Sequence, residues 1–272
     1  MYLFFNGKVI KDEDLRLSSD NRALNYGDGI FETMKFSDRE IWYCNDHLDR
    51  MHAGAKAFHL KIPEGFTHDF IQRHIILLSA QNKLKEGRVK ILLWRKPGGL
   101  FSPESEEADC MILLKEWHSS PAEKQKVTFS AERKSYSALS RYKLLSSALY
   151  IMAGIGKKEK KSDDVIILNH NNEVVECLSS NIFWEKDSQL FTPSLETGCI
   201  EGVMRKQIID KLKENKISVK EGHYSIENLL DAEFVFTSNV GGLSSIITIE
   251  NSVFKKESQV FNRLKQIFNM NS

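Results

Sequence analysis

"NNEVVECLSSNIFWEKDSQLFTPSLETGCIEGVMR", residues 171–205, carries the densest pattern in the chain. Asn171-Asn172 reads as a turn, and "EVVEC" as a strand leaving it. Alternation along Glu173–Glu176 puts Val174 and Glu176 on one face, so an inward Val174 brings Glu176 inward with it. A buried carboxylate needs a partner, and either a cationic heterocycle nitrogen or an arginine would serve. Ser179, Ser180 and Asn181 follow as a small polar cluster between apolar strands, which suits turn chemistry as well as ligand contact. At the far end Gly202 precedes a helix starting near Val203 and Met204. The first N–H groups of a helix have no intrahelical partner, and phosphate is the anion they suit best. The P-loop pattern is missing here, so a nucleoside triphosphate is not implied.

Three other stretches carry chemistry-bearing residues. "SRYKLLSSALYIMAG" (140–154) sets Lys143 at the head of an apolar run, with Leu144, Leu145, Ala148, Leu149, Ile151 and Met152 at helical spacing for one buried face. A lysine there either snorkels to water or, if buried, becomes a nucleophile. "FTSNVGG" (236–242) runs a strand into hydroxyls, an amide and a glycine pair, either an anion-binding loop around Ser238 and Asn239 or a tight turn. "NYGDGIFET" (25–33) places glycines around Asp28 and an aromatic, Phe31, at a strand start. Arg50, on the following helix, offers the planar fork that grips phosphate or carboxylate.

The composition is that of an ordinary globular chain of 272 residues, long enough for one large domain or two smaller ones. With 38 basic and 37 acidic residues, charge does not steer it to nucleic acid or to membranes. No run approaches the ~20 apolar residues of a membrane span. "MYLFFNGKVIKDEDL" has no basic region ahead of an apolar core, so it does not read as a secretory signal. Cys44, Cys110, Cys177 and Cys199 lie far apart without CxxC spacing, which points to a reduced, cytoplasmic protein without a structural zinc site.

The order of elements reads as α+β. "MYLFFNGKVI" is a hairpin turned at Asn6-Gly7, and "GIFETMKFSDREIWYC" a strand pair turned at Ser37-Asp38. "NDHLDRMHAGAKAFHL" is a helix capped by Asn45 or Asp46, 66–84 a second helix, and "RVKILLWR" and "DCMILLKEW" two more strands. "HSSPAEKQ" (118–125), polar and broken by Pro121, divides a smaller domain, 1–117, from a larger one, 126–272, that holds Lys143. An amphipathic helix closes the chain at 257–269.

Taken in order, "YGDGIFET", "HLDRM", the lysine of "YKLLSSAL", "EVVECLSSNIFW" and "LFTPSLETGCIEGVMR" resemble the class IV (fold-type IV) pyridoxal-phosphate enzymes over nearly the whole chain. That family includes branched-chain and D-amino-acid aminotransferases and aminodeoxychorismate lyase. The resemblance implies a two-domain, D-amino-acid aminotransferase-like fold with its active site between the domains, pyridoxal 5'-phosphate as cofactor, a small-molecule substrate and a homodimer. It implies Lys143 as the Schiff-base lysine, Arg50 on the cofactor phosphate and Glu176 on the pyridine nitrogen. Ser179, Ser180 and Asn181, Val203 and Met204 at the helix start, and Ser238 and Asn239 complete the implied cofactor set, while Phe31 and Arg95 line the substrate side. Among the family's reactions, 4-amino-4-deoxychorismate lyase, which releases pyruvate and leaves 4-aminobenzoate in the folate pathway, is the better match. The "NIFW" and "GVMR" stretches are similar to lyase sequences, and "FTSN" lacks the Thr-Gly-Thr of branched-chain enzymes. "WRKPGGLFSP" departs from the Gly-Gly-Arg-Gly-Tyr of bacterial lyases, which keeps an amino-acid aminotransferase as the alternative.

Overall fold

The computed structural model describes residues 1–268. They form two compact units, Met1–His118 with Tyr142–Ser147, and Ser119–Arg141 with the described residues from Ala148 onward.

The first unit is a six-stranded sheet backed on one face by two helices. Its elements are β1 (Tyr2–Phe5), β2 (Lys8–Lys11), α1 (Arg22–Tyr26), β3 (Gly29–Ser37), β4 (Glu40–Ile41), α2 (Cys44–Ala57), α3 (His68–Asn82), β5 (Gly87–Arg95) and β6 (Ala108–Lys115). The strand order is β2-β1-β6-β5-β3-β4. Asn6 and Gly7 both take positive φ, 44° and 88°, and close the β1–β2 hairpin as their dipeptide predicts. Ile30, Met34 and Phe36 of β3, Val89, Ile91 and Leu93 of β5, and Ile112 and Leu114 of β6 project to one side. There they meet Leu48 and Met51 of α2 and Ile71, Ile75 and Leu78 of α3 in one core.

Local details differ from expectation where tertiary contacts intervene. The β3–β4 turn falls at Asp38-Arg39, both at positive φ, and β4 is only two residues long. Helix α2 therefore begins at Cys44, behind Tyr43 and without a side-chain cap, instead of at Asn45 or Asp46. Helix α3 does have its cap: Thr67 Oγ1 accepts from the N–H of Phe70 at 3.3 Å.

The second unit holds β7 (Glu123–Lys124), β8 (Val127–Lys134), α4 (Ala148–Glu159), β9 (Asp164–Asn169), β10 (Val174–Cys177), β11 (Asn181–Lys186), β12 (Gln189–Pro193), α5 (Val203–Glu214), β13 (Val219–Gly222), α6 (Ile226–Leu230), β14 (Phe234–Asn239), β15 (Gly242–Ile246), β16 (Thr248–Ile249), β17 (Ser252–Val253) and α7 (Gln259–Ile267). They build two sheets, β10-β9-β8-β16-β17 and β13-β12-β11-β14-β15-β7. The apolar contacts of Val127, Ile166, Trp184, Val235 and Ile246 join residues of both sheets in one core.

Two sequence expectations are redrawn. The polar stretch 118–125 is more than a tether, because Glu123–Lys124 pairs in parallel with β15. Lys143 belongs with the first unit. The N–H of Phe31 donates to Lys143 O at 2.8 Å and that of Leu145 to Gly29 O at 2.9 Å, so residues 143–145 run beside β3 as an extra edge and α4 begins only at Ala148. The apolar run splits accordingly: Leu144 packs on the first core, whereas Ile151 and Met152 stay exposed on α4.

Candidate active site

Lys143 is half-buried, with Nζ 4.9 Å from the centre of the Phe31 ring. It lies along an aromatic face beside a strand. Behind Phe31, on the core side of β3, sits Glu32, 2% exposed. Arg50 donates Nε–H to Oε1 at 2.7 Å and Nη2–H to Oε2 at 2.6 Å, and His47 Nδ1 lies 2.8 Å from Oε2. Burial pushes the Glu32 carboxyl up, but the Arg50 charge and the hydrogen bonds from His47 and Arg50 outweigh it and hold its pKa at about 2. Burial lowers the His47 pKa more than Glu32 raises it, leaving a neutral ring whose Nδ1–H donates to the carboxylate. Arg50, chosen from the sequence as an anion grip, thus gives one edge of its fork to Glu32.

Glu32 escaped sequence reading although its signal was present. It alternates with Ile30 and Met34, and His47 and Arg50 stand three apart on α2, one helical face opposite that carboxylate. Arg95 is corrected: it does not present its guanidinium to a substrate. It is 5% exposed and donates to Asp28 Oδ2 at 3.1 Å and to the carbonyls of His59, Ser105 and Phe58 at 2.7, 3.2 and 2.7 Å. Arg22 meets the same Asp28 and caps the carbonyls of Gly98, Gly99 and Leu100, so the two arginines brace the 96–107 loop.

In the second unit Glu176 is 3% exposed, as its position after Val174 predicted, but for a different reason. A β-bulge between Val174 and Glu176 breaks the alternation, and all four residues of β10 are buried. Lys134 Nζ donates to Glu176 Oε1 at 2.6 Å, the Tyr150 hydroxyl donates to the same oxygen at 2.7 Å, and the N–H of Ile200 donates to Oε2 at 2.9 Å. These donors leave lone pairs on Oε2 for one further donor. Burial and the negative charge of Glu176 raise the Tyr150 pKa far above its ordinary value, so the phenol stays protonated. Lys134 and Tyr150 carried no local signal, since each meets Glu176 only through the fold.

The polar loops of this unit converge. Asn181 stands opposite Ser238 across β11 and β14. Its Nδ2 donates to Ile200 O at 2.8 Å, and a Cβ on Gly202 would sit 2.0 Å from its Oδ1, so only glycine fits there. From Gly202 springs α5, with no side-chain cap and with Val203 and Met204 buried in its first turn. Ser238 Oγ is buried without a hydrogen-bond partner among the described residues. Asn239 is occupied by its own loop, accepting from Ser120 Oγ at 3.0 Å and Gly241 N at 2.7 Å and donating to the carbonyl of the exposed Ser179 at 3.2 Å. Ser180 Oγ lies 3.4 Å from the buried Lys124 Nζ, which also reaches Asp164 and Thr237 at 2.5 and 2.8 Å. The unpartnered hydroxyl and the uncapped helix start are hydrogen-bond donors of the kind an anion accepts.

The sequence model of the family described as "Amino-transferase class IV" matches residues 29–249. The chain belongs to this family. Class IV aminotransferases are pyridoxal-phosphate-dependent aminotransferases or lyases, and this chain is such an enzyme. It is 26% identical over 246 residues to the aminodeoxychorismate lyase of Bacillus subtilis, covering 87% of this chain and 82% of that protein. It is 24% identical over 245 residues to a D-alanine aminotransferase of Listeria monocytogenes, covering 88% and 84%. Its fold matches the branched-chain aminotransferase of Thermoproteus uzoniensis with a TM-score of 0.90 at 21% identity, over 99% of this chain and 93% of the other. The residues present suit the cofactor's chemistry: the second unit offers an unpartnered hydroxyl, an uncapped helix start and a fixed carboxylate, and the first unit offers a lysine.

Proposed function

We propose that this protein is a 4-amino-4-deoxychorismate lyase, which eliminates pyruvate and leaves 4-aminobenzoate. The cofactor supplies a carbonyl that captures amines and a pyridine ring that withdraws electrons. Lys143 would hold it through Nζ and, once its amine is free, would accept the proton from the substrate carbon that bears the amine. Glu176 would keep a proton on the ring nitrogen, with Lys134, Tyr150 and the Ile200 N–H holding the carboxylate in place. Ser238, Ser180, Asn181, Arg50 and the first N–H groups of α5 at Val203 and Met204 would hold the phosphate, and Phe31 would line the substrate side.

The observation that carries the cofactor assignment is the buried, unpartnered Ser238 hydroxyl beside the uncapped start of α5. The choice of reaction is supported by the likeness to the B. subtilis lyase and by the "NIFW" and "GVMR" stretches. The likeness to a D-alanine aminotransferase, nearly as strong, favours amino transfer to a 2-oxo acid as the second reading. The same reading makes the protein a cytoplasmic homodimer of folate biosynthesis. Its four cysteines are buried and unbridged, and no helix among the described residues is long and apolar enough to cross a membrane. Holoprotein incubated with aminodeoxychorismate should release pyruvate and 4-aminobenzoate. Glutamate formed instead from 2-oxoglutarate and an amino acid would assign the aminotransferase.

A further inference from the structure

Lys124, on the short strand β7, carries a buried ammonium that the proposed chemistry does not use. The segment that holds it is tied to β14, β15 and the turn between them. The Ser120 hydroxyl donates to Asn239 Oδ1 at 3.0 Å and its N–H to Gly241 O at 3.2 Å, and the Ser244 hydroxyl donates to Pro121 O at 2.6 Å. Lys124 itself stands opposite Ile246, and its carbonyl accepts from the N–H of Ile247 at 2.9 Å. The ammonium has three hydrogens and meets three oxygens: Asp164 Oδ2 at 2.5 Å, Thr237 Oγ1 at 2.8 Å and Ser180 Oγ at 3.4 Å. Asp164 is fixed in turn, since its Oδ1 accepts from the N–H groups of Val165 at 2.8 Å and Leu178 at 3.2 Å.

A hydroxyl that accepts from an ammonium keeps its own hydrogen for a different acceptor. The Thr237 hydrogen is directed at Ser244 O, 3.5 Å away. Among the described residues no oxygen or nitrogen accepts the hydrogen of Ser180, and the sulfur of Cys177 beside it is a weak acceptor. Ser180 is followed by Asn181, which stands opposite Ser238, and Thr237 precedes Ser238 on β14. One ammonium therefore holds the residue before each member of the Asn181–Ser238 pair. A buried ion pair seldom stabilises a fold more than apolar side chains of the same volume would. Three-point donation to two hydroxyls and a carboxylate is what no apolar side chain could supply.

We infer that Lys124, paired with Asp164, is a positioning residue for the cofactor phosphate. It occupies a lone pair of the Ser180 hydroxyl, leaving that hydrogen for an anion, and pins Thr237 so that the adjoining Ser238 stays in place. This rests on the assignment of Ser180 and Ser238 to the phosphate, and it is the same for elimination and for amino transfer. The ion pair is neutral as a unit, so it contributes direction rather than net charge. Removing the lysine alone would strand a buried carboxylate and weaken the fold whatever the role of the pair. A charge-neutral replacement is therefore the informative one.

Lys124→Met combined with Asp164→Asn removes both charges, keeps the Oδ1 acceptor and takes the ammonium away from both hydroxyls. Fluorescence titration of the full-length apoprotein with pyridoxal 5'-phosphate and with pyridoxal, which lacks the phosphate, separates anion binding from the rest of the site. The double variant should melt near the parent protein yet lose its preference for the phosphorylated form by about tenfold, the lower end for one hydrogen bond to a charged group. Its affinity for pyridoxal should stay the same. Lys124→Gln, with two hydrogens for three oxygens, should fall between the two, and it decides the matter if the double variant does not fold. Ser180→Ala, which leaves the ion pair intact, should lower the same preference, and adding it to the double variant should lower it no further. Lys124 variants that keep the parent's preference, or that lose affinity for both ligands equally, overturn the inference. So does an additive effect of Ser180→Ala. If Ser180→Ala and Ser238→Ala both leave the preference unchanged, the phosphate lies elsewhere and the cofactor reading is what fails. If Ser238→Ala lowers it while the Lys124 variants do not, only the positioning role fails.

Discussion

Replacing Glu32 by glutamine keeps the shape of the side chain and removes the charge that Arg50 and His47 surround. Two routes give the size of the effect. The carboxyl stands at about 2 in the folded protein against 4.5 for an unperturbed glutamate, because the Arg50 charge and the His47 and Arg50 hydrogen bonds overcome the cost of burial. At 1.36 kcal/mol per pH unit, that gap corresponds to about 3 kcal/mol. Breaking a buried ion pair by removing one partner costs about 3–5 kcal/mol, which agrees. The sign follows from linkage: a depressed carboxyl contributes its full stability above pH 4.5 and loses it as pH falls toward 2. Urea denaturation at pH 7 should therefore place Glu32→Gln about 3 kcal/mol below the parent protein. The gap should narrow steadily below pH 4.5, since the variant has no such proton to take up. A difference under about 1 kcal/mol at pH 7, or one that stays constant from pH 7 to pH 3, would refute the view that Glu32 anchors this network.

Borohydride reduction of the yellow holoprotein should fix the cofactor to one peptide, the one containing Lys143, and label on any other lysine overturns its assignment. Glu176→Gln should retain the cofactor but lose orders of magnitude in turnover, measured with saturating cofactor; near-normal rates would reduce this carboxylate to a paired core group. Ser238→Ala removes a hydroxyl that has no partner among the described residues, so melting of the apoprotein should shift little, within about 1 kcal/mol, while cofactor affinity by equilibrium dialysis falls several-fold. Equal affinity in the two proteins would move the phosphate away from β14.

The sequence by itself determined what depends on neighbours along the chain. Asn6-Gly7 sets a hairpin because both residues tolerate positive φ, Thr67 starts α3 because its hydroxyl reaches an N–H three residues on, and "EGVMR" starts α5 at Val203. The resemblance to class IV enzymes was legible for a related reason: the motifs that carry it, such as "YGDGIFET", "HLDRM" and "EVVECLSSNIFW", are each short and continuous. Tertiary structure alone decided which polar groups meet. Arg50 and Arg95 look equally available as anion grips in sequence, yet Arg95 is consumed by Asp28 and three carbonyls, while Arg50 shares Glu32 with His47. Lys134 and Tyr150 reach Glu176 from 42 and 26 residues away, and no spacing rule connects them. Lys143 reads as the first turn of a helix until the edge of β3 offers its backbone hydrogen bonds that a short apolar run cannot match locally. Lys35, Arg88 and Lys115 likewise line up only in the β3–β5–β6 register. Periodicity encodes which face of an element is apolar, whereas the partner of a buried charge is set by distances through space, which the chain acquires only when its sheets have formed.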